Sequence, residues 1–339
     1  MVCTGRQRYT PATMPPERRP RNHPALVAAS FISPPVLVLL IGRAWRRSES
    51  RRKVLLAAAC AVAVVLFWLA SRQFGIPRSV DAEASLALQP RPAAVLLLTG
   101  FVFWIVAAVC TAMTTRVRLD AGLFSACIGL ATLSGRGGPM RYVFQNAIDS
   151  GAGRAVFAAM AVELVVLYGF LVLAWYGLWA MHVRGSLEGD ALRDGLADQE
   201  HTLGERLTAA AIQFATMLVL MLLLAQVDDK KQVVIAVFLS SFLATLLAYT
   251  FAPVRPSIWF WAGPLAVGLI GYAWDYLNWG RAGASVWKAG LGAGQLSPLG
   301  RALPLDYASV GPAGAMLGYW ISRGWERAKE TDTPEVAEG

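Results

Sequence analysis

Seven stretches of this chain run for 18 to 27 residues with at most one charge each: 54–71, 93–114, 155–181, 208–227, 232–252, 257–275 and 305–322. A helix needs about 20 mostly apolar residues to cross a hydrocarbon core of roughly 30 Å. Inside lipid every backbone N–H and C=O must bond within its own segment or to closed neighbours, which leaves helix as the form for such stretches. The overall balance agrees. The chain is 56% hydrophobic and 16% charged, against roughly 45–50% and about 25% for a soluble domain. These numbers exclude a disordered chain, a collagen-like one and an ordinary cytosolic enzyme. The expected fold class is all-α, a polytopic integral membrane protein built as a bundle of about eight transmembrane helices.

Two further segments are ambiguous. Residues 25–42 are apolar but interrupted by Pro34-Pro35, which remove two backbone donors and disfavour helix just before them. Counted as an eighth span, this segment either crosses or enters and returns at the prolines. The basic residues that follow it, with no A-x-A pattern, argue that it is retained and not cleaved as a signal peptide. Residues 121–135 (AGLFSACIGLATLSG) are uncharged, short and rich in small side chains; they fit a short span, a re-entrant piece or a buried helix. The domain plan is then a basic tail over 1–24, the bundle over 25–322 and a polar tail over 323–339.

Charge is concentrated at the start. Residues 1–53 hold 11 Lys/Arg against Glu17 and Glu49, while the remaining residues balance at 20 of each sign. Beside apolar runs, a block of this kind suits the anionic headgroups of a bilayer, and nucleic acid is not the expected partner. Lys/Arg in short loops set orientation. Loops 43–53, 115–154, 228–231 and 276–304 carry 16 and loops 72–92, 182–207 and 253–256 carry 7, so the first group is expected on the cytoplasmic side; if 121–135 also crosses, this bias largely disappears. The Arg-rich composition, 26 Arg to 5 Lys, points to a GC-rich bacterial genome, and with it to the inner membrane. Aromatic residues near the span ends (Trp175, Tyr176, Trp179, Trp259, Trp261, Trp274, Tyr276, Trp279, Trp320 and Trp325) read as interfacial anchors.

Candidate sites are few. Glu163 is the one carboxylate well inside a clear span. A charge at the bilayer centre costs about 2.5–3.5 kcal/mol on insertion scales, so Glu163 is a candidate proton-relay group or cation ligand, unless it lies near one interface and snorkels. Gln213 on another span is its expected interhelical hydrogen-bond partner. The last two spans share a phrase: Gly263-Pro264 followed by Gly271-Tyr272, and Gly311-Pro312 followed by Gly318-Tyr319. Paired Gly/Pro interruptions can mark a transporter's broken helices. Small residues, including the Gly314–Gly318 pair, can equally serve close helix packing.

The loop 182–207 places Asp190, Asp194, Asp198, His201 and Glu205 at helical steps, with Leu192, Leu196, Leu203 and Leu207 opposite. This predicts an amphipathic helix over 187–207. Asp198 and His201 could form half of a carboxylate–histidine metal site, but no second pair exists to complete it. Asp228-Asp229-Lys230-Lys231-Gln232 makes a tight helical hairpin, with the aspartates suited to the start of the next helix. Ser134-Gly-Arg-Gly-Gly-Pro139 reads as a turn, with Arg136 and Arg141 as interface anchors.

No nucleophile elbow, zinc-protease motif, phosphate loop, dinucleotide fingerprint or Cys/His metal spacing occurs in the sequence. Cys60, Cys110 and Cys127 lie in apolar stretches and form no disulfide framework, and none of the three histidines falls in a clear span. No enzymatic activity and no cofactor are expected. Two functions compete: a non-enzymatic membrane scaffold or assembly component, and a small-solute or ion transporter using Glu163 and the Gly-Pro segments.

Overall fold

The computed structural model describes residues 47–71, 85, 86, 89, 91–114, 119–149, 153–185, 201–279 and 296–332. All lie within one compact unit, Arg46–Gly339; the tail over 1–24 and the segment 25–42 lie outside the described residues. Among those residues there is no strand. The elements are α1 (Arg47–Ala70), α2 (Pro92–Thr114), α3 (Leu119–Ser134), α4 (Met140–Asp149), α5 (Ala155–Gly185), α6 (Leu203–Leu224), α7 (Lys230–Phe251), a 3₁₀ turn (Ser257–Trp261), α8 (Ala262–Asn278) and α9 (Pro304–Asp332). Five helices, α1, α2, α5, α6 and α7, are long and apolar enough to cross a membrane.

The bundle has two polar ends. At one, Lys230 at the start of α7 meets Asp306 at the start of α9. At the other, the Ser257 hydroxyl of the 3₁₀ turn donates to Asp120 near the start of α3 at 2.8 Å. Ser134, the last residue of α3, donates to Asp306. Helix α3 therefore runs from the 3₁₀ end to the ion-pair end, although it has only 16 residues. Its small side chains explain how it fits. A Cβ on Gly129 would sit 2.8 Å from the Ala63 carbonyl oxygen of α1, and one on Gly122 would collide with Thr111 of α2. The short 121–135 stretch, rich in small side chains, is thus a wedge between two helices, and most of its side chains are buried.

This course of α3 corrects the expected loop grouping. The start of α1 and the 135–154 connection, assigned to one side by charge counting, stand at opposite ends of the bundle. Counting failed because α3, although apolar, has only 16 residues, fewer than the roughly 20 by which a span is recognised.

Helix α9 forms the centre. It packs against α3, α5, α7, α8 and the 3₁₀ turn, and every residue from Pro304 to Met316 is buried. It continues to Asp332, so residues 323–332, expected to open a polar tail, prolong the helix. Gly314 and Gly318 lie against the backbone of α7. An added Cβ would come within 2.5 Å of the Phe238 and Phe242 carbonyl oxygens respectively.

The outer helices present apolar residues to the surroundings. On α2, Leu97, Phe101, Ile105 and Val109 make one exposed stripe at four-residue spacing. Not all aromatic residues behave as anchors. Trp175 and Trp261 are buried at 7% and 2% exposure, Trp279 packs on Phe144 and Phe157, and Trp320 packs on Phe124. Tyr176, Trp274 and Trp325 are exposed.

Candidate functional site

The central helix begins inside the protein, and its start gathers the buried side chains of Ser134, Asp275, Arg301 and Asp306. Pro304 occupies the first helical position, where the missing N–H costs nothing. Two residues on, Asp306 reaches back so that its Oδ2 accepts the Leu303 N–H at 2.8 Å. This is the acidic half of a capping box, and it sets a negative charge at the positive end of the helix dipole. Lys230 Nζ donates to both Asp306 oxygens, at 2.7 and 2.8 Å, while Ser134 donates to Oδ1. Asp306 has no exposed surface. A buried carboxylate needs this much company, because one charge left without its partner in a low-dielectric interior is costly.

The segment before α9 is fixed from several helices. Tyr272 of α8 donates to the Ala302 carbonyl and Tyr307 of α9 to the Leu299 carbonyl, each at 2.8 Å. Tyr168 of α5 donates to the Tyr307 carbonyl at 3.1 Å. Asp275, near the end of α8, accepts the Ser297 N–H at 3.0 Å and lies so close to Gly300 that no side chain could stand there. Arg301, 8% exposed, donates to the Ala225 and Gln226 carbonyls just past the end of α6. A cation there complements the negative end of that helix dipole.

Glu163 lies eight residues into α5, about 12 Å along its axis at 1.5 Å per residue. It is fully buried, and Ser85 donates to its Oε2 at 2.6 Å. Ser85 and Leu86, between α1 and α2, are both buried, so part of that connection reaches the depth of Glu163.

Gln213 takes a different partner from the one expected. Its Nε2 donates to Thr245 Oγ1 of α7 at 2.8 Å and to the Phe260 carbonyl of the 3₁₀ turn. The interhelical bond exists, but it ties α6 to α7 and not to Glu163. Sequence position gave the depth of Gln213 but not the side of α6 it occupies relative to α5.

The two Gly-Pro phrases meet. A Cβ on Gly311 would lie 2.8 Å from Cβ of Pro264. Neither phrase splits a helix. Gly263-Pro264 falls in the first turn of α8, directly after the 3₁₀ turn, where proline is tolerated. Helix α9 passes continuously through Gly311-Pro312. Pro312 cannot donate to the Ala308 carbonyl, and Ser241 of α7 donates to the Gly311 carbonyl at 2.7 Å.

The expected amphipathic helix over 187–207 is not continuous. Thr202 has extended backbone and caps α6, accepting the Glu205 N–H at 3.3 Å while Glu205 accepts the Thr202 N–H at 3.1 Å. The Thr202-x-x-Glu205 spacing carried this signal in the sequence. Residues 203–207 therefore open α6, and 187–200 lie outside the described residues. Asp198 lies outside them too, and His201 Nδ1 stands 3.3 Å from Glu205 Oε2. Among the described residues no group of three or more His, Cys, Asp or Glu could hold a metal ion.

In the hairpin, Asp229 caps α7 through the Lys231 and Gln232 N–H groups at 2.8 and 3.2 Å. Asp228 instead accepts the Arg141 backbone N–H at 3.2 Å, and burial pushes its carboxyl above the ordinary aspartate range. Arg136 donates to Ser71 and lies over Trp68 at 5.3 Å. An apolar cleft lined by Thr99, Phe103, Leu130, Leu167 and Phe170 leaves about 10 Å³ for water centres, no more than one molecule's worth. No protein family, curated protein or solved structure matches this chain.

Proposed function

We propose that this chain is a non-enzymatic multi-pass membrane protein, a scaffold or assembly component whose core serves to hold a rigid helical surface in the bilayer. In this reading α1, α2, α3, α5, α6, α7, α8 and α9 are the crossings among the described residues, α3 joining the seven long apolar runs while 25–42 lies outside those residues, α4 lies at the ion-pair end, and the membrane is a bacterial inner membrane. The observation that carries the reading is how the intramembrane polar side chains are used. Asp306, Gln213 and Ser241 each bond to another helix or to the segment that opens α9, and Gly314 and Gly318 bring α7 and α9 into backbone contact. Such an interior is built to fix helices, with small residues for close approach and polar groups as cross-links.

A second reading, a proton- or cation-coupled transporter, draws on Glu163, a carboxylate fully buried in a helix long enough to span. Intramembrane acids of this kind mark ion pathways by default. The two readings differ in water access. A single cysteine at position 163 in an otherwise Cys-free chain should resist a membrane-impermeant thiol reagent from both faces. Labelling from either face, in folded and inserted protein, would establish a water-filled route and replace the scaffold by the transporter.

A further inference from the structure

The 3₁₀ end carries two arginines whose charge no carboxylate answers among the described residues. Arg206, in the first turn of α6, places its guanidinium over the Trp259 ring, 5.1 Å from the centroid. Arg323 on α9 lies over Tyr319 at 5.8 Å, with a long donor contact of 3.4 Å to its hydroxyl. The Nε of each is buried and has no hydrogen-bond partner among the described residues. The described carboxylates nearest to them in sequence, Glu205 and Glu326, are engaged elsewhere. Glu205 closes the Thr202 cap, and Glu326 accepts from Tyr249 at 2.7 Å and from Arg255 at 3.4 Å. The two stacked arginines flank one structure, since the 3₁₀ turn that bears Trp259 packs against both α6 and α9.

Stacking on a ring holds the planar guanidinium in one orientation and leaves its terminal Nη groups for an oxyanion, which a guanidinium can grip with two parallel bonds. The surroundings fit an anion with an apolar tail. Leu203 and Leu207 beside Arg206 are 66% and 59% exposed, Phe251 four residues before Arg255 is 70% exposed, and Trp325 beside Arg323 is 54% exposed. We infer that the rim around the 3₁₀ turn, formed by Arg206, Trp259, Tyr319 and Arg323, binds the phosphate headgroups of anionic phospholipids, with acyl chains along the exposed apolar residues of α6, α7 and α9. This inference rests on the membrane reading and adds a site of other residues to the basic N-terminal region, the last part of which opens α1 at the same end.

The test is lipid retention by the purified full chain, exchanged into equimolar phosphatidylglycerol and phosphatidylcholine and weighed with its bound lipids. The wild type should retain phosphatidylglycerol preferentially, and the preference should weaken as salt rises. Each arginine removed should lower that preference about fivefold, the scale of one cation at an anionic surface. Arg206→Gln and Arg323→Gln together should then abolish most of it. Arg154→Gln, at the opposite end where Arg154 stacks on Tyr276, should leave it unchanged. Arg206→Lys keeps the charge and loses the planar grip, so it should fall between. Equal retention of both lipids by the wild type overturns the site without any variant. A preference that survives the double substitution belongs to the N-terminal region and also overturns it, as does displacement of the lipid by millimolar inorganic phosphate. A chain that holds no lipid at all would instead defeat the membrane reading itself.

Discussion

Helices α2 and α9 invert the rule that governs soluble proteins. Helix α2 is uncharged and nearly all apolar, yet only 33% of its spanning stretch is buried. Helix α9 carries Asp306, Ser309, Pro312 and three glycines by residue 318, and it is buried without interruption from Pro304 to Met316. In water the apolar helix would be driven inward. In lipid, apolar side chains gain nothing by leaving the hydrocarbon, so association is left to close packing and polar cross-links. Burial then follows smallness and polarity instead of hydrophobicity. The comparison also separates what each helix tolerates, since α2 answers to the solvent and α9 to its neighbours.

The largest effect is expected where α9 begins. Asp306→Ala leaves the Lys230 ammonium, 13% exposed, buried without its counter-ion, at a cost of about 3–5 kcal/mol. Thermal unfolding in detergent should show a loss too large for a surface site, and replacing both residues by leucine should recover much of it. If Asp306→Ala unfolds like the wild type, the pair does not hold the centre together.

Glycines give a sharper version of the same contrast. Gly314→Leu forces a side chain into the α7 backbone, and overpacking of this kind costs about 1–3 kcal/mol. Gly169, on the outward side of α5, has nothing within 4 Å of an added Cβ, so Gly169→Leu should leave unfolding unchanged or raise it slightly. Equal losses at the two positions would mean that α9 is no more crowded than the periphery. On the α2 stripe, Phe101→Ala should change stability by no more than about 0.5 kcal/mol, as for other surface positions. A larger loss by the same assay would reveal a packed partner on that face.

The smallest expected effect is a pH dependence at the ion-pair end. Burial raises the Asp228 carboxyl above its ordinary value of 3.8, so the folded state favours the protonated form. That contribution is present in full below the ordinary value and is lost as pH rises through the elevated folded value. The unfolding temperature of Asp228→Asn should therefore gain on the wild type from about pH 4 upward. A constant difference across that range would show that Asp228 ionises as freely in the folded state as in the unfolded chain.

Much of the architecture is legible in the residues, though unevenly. Long apolar runs announce α1, α2, α5, α6 and α7 because lipid exposure demands them. The wedge α3 registers weakly because it is short, and the central α9 because its small and polar residues are chosen for contact with protein. The site follows the same division. Glu163 can be picked out as an intramembrane acid, but Ser85 as its donor comes from a connection 78 residues away, and nothing in the local pattern pairs them. Lys230 and Asp306 each stand in a recognisable helix start, yet their meeting depends on α7 and α9 packing side by side at the same end.

By itself the sequence determined that this chain must be helical and membrane-embedded. That follows from the solvent, because unbonded backbone groups are not tolerated in hydrocarbon. It also determined local punctuation such as the Thr202 and Asp229 caps, which depend only on residues within one turn. The tertiary structure alone decided which helix stands at the centre, that the two Gly-Pro phrases touch, and that Gln213 bonds Thr245. Those outcomes depend on rotation and depth of whole helices, quantities fixed by many close contacts at once and carried by no single segment.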